Sequence, residues 1–76
     1  MRIDELKKLI EENLPHSIAI VNSPDEIHFD AEVICPAFAG KSRVQQQQMV
    51  YHILNPYIKS GELHALSLKT RYSPTR

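Results

Sequence analysis

The sequence predicts a small α/β (α+β) domain of order αββαβ, a mixed three-stranded sheet with its helices on one face. Three observations carry that expectation. Apolar residues recur at helical spacing in two separate stretches. Period-two alternation or a short β-branched run marks three others. A helix between the second and third strands supplies the crossover that parallel pairing requires, and such crossovers are almost always right-handed. With 76 residues there is room for one domain with a small core, and residues 1–76 are expected to fold as a unit.

Ile3, Leu6, Leu9 or Ile10, and Leu14 recur with Lys and Glu between them, so residues 3–14 read as an amphipathic helix that Pro15 ends. Ile18 to Val21 is a short β-branched run, and Asn22-Ser23-Pro24-Asp25 is turn chemistry, so a hairpin follows. From His28 to Val33 strict alternation puts Phe29, Ala31 and Val33 on a buried face and His28, Asp30 and Glu32 on a wet one. Residues 36–41 read as a loop. Ser42, with Gln45 three positions on, forms a capping box at the start of the second helix. There Val44, Tyr51, Leu54 and Ile58 define an apolar stripe with Val50 and Ile53 beside it. The four glutamines from Gln45 to Gln48 belong to this periodic helix and read as structural. Asn55-Pro56 should break or kink that helix, and Gly61 fits its stop. Leu63 to Lys69 alternates as a third strand, with His64, Leu66 and Leu68 on one face and Ala65 and Ser67 on the other. The tail, residues 70–76, lacks an apolar stripe and reads as loose.

Net charge is zero, but the zero hides an asymmetry. Residues 1–34 carry eight acids against three bases, a net of −5, and the remainder carries six bases against Glu62, a net of +5. A bipolar domain can dock an acidic surface or a phosphate backbone through its basic half; intramolecular complementarity between the halves accounts for the same pattern. One Cys forms no internal disulfide, which fits a reducing compartment and makes the cytoplasm the expected location. No run approaches the roughly 20 apolar residues of a membrane span.

The candidate chemistry is sparse. Gly40-Lys41-Ser42 between a strand and a helix has the ending of a phosphate-binding loop, but that motif needs a Gly where this chain has Cys35. The helix start, with Lys41 and Arg43, can attract a phosphate or an acidic side chain; capping alone explains it as simply. His16, His28, His52 and His64 have no short-spaced pair of the kind a closed zinc site uses, and spacing elects none of them. Cys35 has no nucleophile motif and reads as a small buried apolar residue. Nothing in the pattern indicates an enzyme.

Three segments nevertheless form a specific combination: Phe38-Ala39-Gly40-Lys41-Ser42-Arg43-Val44, then Val50-Tyr51, and Ser60-Gly61-Glu62-Leu63-His64-Ala65-Leu66-Ser67-Leu68-Lys69-Thr70. In order and distance they resemble the BolA-like family, with its F-x-G-K-S segment, its V-Y on the next helix and its G-x-(I/L)-H-A-(L/V)-S-(I/L)-K-T strand. His28-Phe29 is similar to the strand-opening H-F of one subgroup, and the resemblance covers nearly the whole chain. It implies a fold like a type II KH domain and a non-enzymatic binding protein. It also implies a partner, a monothiol glutaredoxin with its glutathione, and a [2Fe-2S] cluster shared with that partner, for which His64 would be the ligand from this chain. Imidazole in place of thiolate raises a cluster's potential. For a second ligand His28 comes before Cys35, and a solvent-facing strand residue describes His28 equally well. The family is also described as a DNA-binding transcriptional and stress-morphology regulator. On that reading Lys41, Arg43, Lys69 and Arg71 would contact phosphates, with Arg76 beyond them, and a homodimer is a further possible assembly. The chain departs from the family in two places. Gln46-Gln47 stand where many members have Arg-His, placing it with a glutamine-bearing subgroup. The tail Tyr72-Ser73-Pro74-Thr75-Arg76 replaces the usual T-P-x-E-W and final helix.

Overall fold

The structure, a computed structural model, describes residues 1–74. Helix α1 (Ile3–Asn13) leads into strands β1 (Ile18–Asn22) and β2 (His28–Cys35); a 3-10 turn (Pro36–Phe38), helix α2 (Arg43–Ser60) and strand β3 (Ala65–Tyr72) follow. The sheet order is β1-β2-β3, with β1 antiparallel and β3 parallel to the central strand. This is the expected αββαβ domain with a mixed sheet. Among the described residues no helix is long and apolar enough to cross a membrane.

Alternation decides which sheet face is covered. Ala19 and Val21 of β1 and Phe29, Ala31, Val33 and Cys35 of β2 are buried, while Ile20, Asp30 and their neighbours face outward. Against the buried face pack Leu6 and Ile10 of α1, Leu14 at its C-cap, and Val50 and Leu54 of α2. Ile10 is thus the core residue of the Leu9/Ile10 pair, with Leu9 half-buried.

Four local expectations are corrected. The connection after β2 is not a bare loop: its 3-10 turn drives Phe38 fully into the core. α2 runs through Pro56 to Ser60 instead of breaking there. Pro56 lacks the N–H that would have reached the carbonyl of His52, and its ring crowds that carbonyl, but both residues lie on the exposed side, where the carbonyl can tilt outward and take its bond from water. The helix instead stops at Gly61, whose φ of +85° is the left-handed cap that favours glycine. The third correction concerns helix phase: Val50 and Leu54 are the buried pair, Met49, Ile53 and Tyr57 pack partly, and Val44 and Ile58 remain 64% and 37% exposed.

The last correction is to β3, which starts at Ala65 and continues to Tyr72. Thr70, Arg71 and Tyr72 pair with Val33, Ile34 and Cys35, so residues 70–72 are strand and not loose tail; residues 75–76 lie outside the described residues. An eight-residue β2 offers eight partners, and charged side chains at Lys69 and Arg71 are no obstacle on the open face. Leu63 and His64 precede the strand. Leu63 is buried, and its N–H donates to the Tyr57 carbonyl at 3.0 Å, folding the chain tightly back from α2.

Candidate functional site

The geometry of that return positions His64. The residue is exposed, directly follows Leu63 and has no hydrogen-bond partner among the described residues. Its ring lies over the helix cap: Cε1 and Nε2 are 3.8 and 4.0 Å from the point where a Cβ on Gly61 would stand. Glycine here turns the chain through a left-handed φ of +85°, and a side-chain carbon at that point would only touch the imidazole at ordinary contact distance. An exposed imidazole held at a rim by a rigid turn is a suitable ligand for a metal carried by another molecule.

His28 reaches the same end of the sheet by a different route. In the register it opposes Ala65, the residue after His64, with strands spaced about 4.8 Å apart. Its side chain leaves by the open face with Asp30 and Glu32, however, whereas His64 lies on the α2 side. The rings share a rim from opposite faces. Asp25 organises His28: Oδ2 meets Nδ1 at 2.8 Å, and Oδ1 accepts the N–H groups of Ile27 and His28, both at 2.9 Å. The N–H of His28, then its ring and the N–H of Ile27, hold the Asp25 carboxyl well below its ordinary 3.8. Because a carboxylate only accepts, Nδ1 carries the proton, which in the neutral ring leaves the Nε2 lone pair for a ligand. The sequence marks Asp25 only as turn chemistry. Its spacing three residues before His28, next to Ser23-Pro24, was the available signal.

Cys35 sits at the other end of β2, about 23 Å from His28 at strand rise. It is fully buried, with Sγ directed at the Pro15 carbonyl at 3.7 Å. That is the small apolar role, and the geometry does not bring the thiol to the histidine rim. Among the described residues no three His, Cys, Asp or Glu side chains converge to hold a metal ion.

The basic residues divide. Arg43, Lys69 and Arg71 line one hollow with Gln47, Leu68 and Glu32. Lys41 lies on another side of α2, lining a groove with Asn13, Leu14 and His52. Glu32 also tempers the hollow, since its carboxylate pairs with Arg71 at 3.6 Å. This contact joins the acidic and basic halves of the chain, the intramolecular complementarity that the charge asymmetry allowed. The hollow sits at the α2 N-terminus and His64 just past the C-terminus, so about 27 Å of helix separates them.

Comparison with known proteins places these features. The sequence pattern of the BolA-like protein family matches residues 6–74. A bolA protein homologue from Coxiella burnetii superposes with a TM-score of 0.81 at 38% identity, over 97% of this chain and 92% of that one. The BolA domain of SufE1 from Arabidopsis thaliana superposes with a TM-score of 0.79 at 29% identity, over 93% and 91% of the two chains. The acid stress protein IbaG of Escherichia coli is 42% identical over 52 residues, 68% of this chain and 61% of that protein.

Proposed function

Because the chain belongs to the BolA-like protein family, we propose that it is a binding protein that pairs with a monothiol glutaredoxin and shares a [2Fe-2S] cluster with it. The observation that carries this reading is His64: exposed, unpartnered and set by the Gly61 turn at one rim of the sheet. The donor set fits a shared group better than a resident one. Among the described residues no three metal-binding side chains converge, and one exposed imidazole can add to ligands supplied by another protein. The cluster, when bound, would supply one-electron chemistry or transferable iron and sulfide. This chain's residues would orient and shield: the left-handed Gly61 turn sets the direction of the chain into His64, and Leu63 anchors that turn in the core. His28, aligned by Asp25 in the manner of a carboxylate-oriented metal ligand, is the second candidate at the same rim. Cys35 is not proposed. Similarity to the acid stress protein IbaG supports a role under stress.

Visible absorption and circular dichroism of the protein mixed with a monothiol glutaredoxin, glutathione, iron and sulfide test the reading. The native chain should alter the glutaredoxin's cluster spectrum, His64→Ala should abolish that change with far-UV dichroism intact, and His28→Ala should retain part of it. A cluster spectrum indifferent to His64→Ala would overturn the assignment.

The hollow of Arg43, Lys69 and Arg71 supports a second reading, DNA binding by the basic half. Three phosphate contacts would give a slope of about −3 in log K against log salt. A flat salt dependence would remove it.

A further inference from the structure

The two edges of the sheet are treated differently. On β1, Ala19 donates its N–H to Glu11 Oε2 at 2.8 Å, and its carbonyl accepts from Lys7 Nζ at 2.8 Å; the two side chains meet each other at 2.6 Å. Side chains of α1 thus take the places of a neighbouring strand's backbone groups, a direct way to close an edge. On β3, eight residues long, the described residues supply a single hydrogen bond to the outer edge, from Gln47 Nε2 to the Leu68 carbonyl at 3.4 Å. A strand turns its N–H and C=O groups to alternate sides, so Leu66, Thr70 and Tyr72 project theirs outward with those of Leu68. Thr70 Oγ1, shielded from solvent, has no partner either.

Beside this sparsely bonded edge lies an apolar stripe of α2 that is exposed at Val44 and Ile58 and half-buried at Tyr51. At about 100° per residue, Val44, Tyr51 and Ile58 fall within roughly 40° of one another, just beyond Gln47. Gln47 reaches β3, so this flank borders the β3 edge. Unpaired backbone groups and exposed apolar side chains side by side are what a strand of another molecule would satisfy together. A helix laid on the stripe would leave the backbone groups unpaired.

We propose that the outer edge of β3 is a docking site for an extended segment of a partner protein that alternates apolar and acidic residues. The chemistry of β3 selects that alternation. Leu66 and Leu68 pack toward the helices, while Lys69 and Arg71 stand on the open face, where opposite charges on a neighbouring strand are favourable. β2 already pairs with β3 on this pattern from the inner side, with Glu32 opposite Lys69 and Ala31 opposite Leu68. A second copy pairing through its own β3 with Lys69 opposite Lys69 or Arg71 would set cation against cation. Gln47 acts as a weak placeholder, holding the Leu68 carbonyl until the strand arrives. The site stands without the cluster reading, since it uses neither His64 nor His28.

A capped Val-Glu-Val-Asp-Val-Glu-Val peptide is the probe, titrated into the isotopically labelled full chain by NMR. The expected result is saturable shifts and slowed amide exchange at Leu66, Leu68, Thr70 and Tyr72, with Ala19 and Val21 unaffected. Lys69→Gln should weaken binding about two- to fivefold, Gln47→Ala should tighten it, and the same peptide with Lys for each acid should bind more weakly. Shifts at Val44 and Ile58 without exchange protection of the β3 amides would overturn the strand mode. Protection that grows with protein concentration in the absence of peptide would make a second copy the occupant. No saturable change at millimolar peptide would refute the site.

Discussion

Replacing Gly61 separates two roles that one glycine plays. At φ +85° and ψ 4° the residue is in the left-handed region, where a Cβ crowds the following carbonyl at a cost of about 1–2 kcal/mol. The added carbon would meet His64 at 3.8 and 4.0 Å, which is ordinary van der Waals contact. The expected penalty for Gly61→Ala is therefore backbone strain alone. For a domain of this size about 1 kcal/mol moves the midpoint by about 4–8 °C, so Gly61→Ala should lower Tm by roughly 4–16 °C. Asn tolerates this backbone region, so Gly61→Asn should recover much of the loss. Thermal unfolding followed by circular dichroism at 222 nm measures both, and histidine NMR signals report the ring. An unchanged Tm for Gly61→Ala would refute the strain argument. Equal losses for Ala and Asn, with a displaced His64 signal, would show that ring contact and not φ sets the cost.

Phe38→Ala should cost about 3–5 kcal/mol, because the ring is fully buried in the 3-10 turn between β2 and α2. Against a total of roughly 4–11 kcal/mol for a domain this long, urea unfolding should find the variant close to its folding threshold. Asp25 predicts a pH dependence. Its folded-state pKa is depressed, so its contribution is fully present above the ordinary value of 3.8 and drains away as pH falls below it. Asp25→Asn should accordingly lower the urea midpoint at pH 7, and the gap from the native chain should narrow at pH 3; a gap of constant size would contradict the linkage.

The element order was legible in the sequence because each element writes its own period. The alternation from His28 to Val33 put Phe29, Ala31 and Val33 inside, and they are buried. The Ser42 and Gln45 box closes as expected, with Ser42 N–H to Gln45 Oε1 at 2.9 Å and Gln45 N–H to Ser42 Oγ at 3.2 Å. Local chemistry of this kind needs no knowledge of distant residues. Helix phase was less legible. α2 carries apolar residues on two adjoining stripes, and period alone does not say whether Val50 and Leu54 or Val44 and Ile58 meet the sheet. The strand end at Tyr72 was hidden for a similar reason, since residues 70–72 are strand only because β2 lies beside them.

The sequence by itself determined the αββαβ order, the inward face of β2, the Gly61 cap of α2 and the family, all of which depend on neighbours a few positions apart. The tertiary structure alone decided which histidines share a rim, that Cys35 is far from it, that Lys41 is parted from Arg43, Lys69 and Arg71, and that α1 side chains hold both backbone groups of Ala19 on the β1 edge while the β3 edge takes one bond from Gln47. These facts rest on contacts between residues far apart in the chain. Register, helix phase and side-chain reach arise when two elements pack, and neither element's own periodicity contains them.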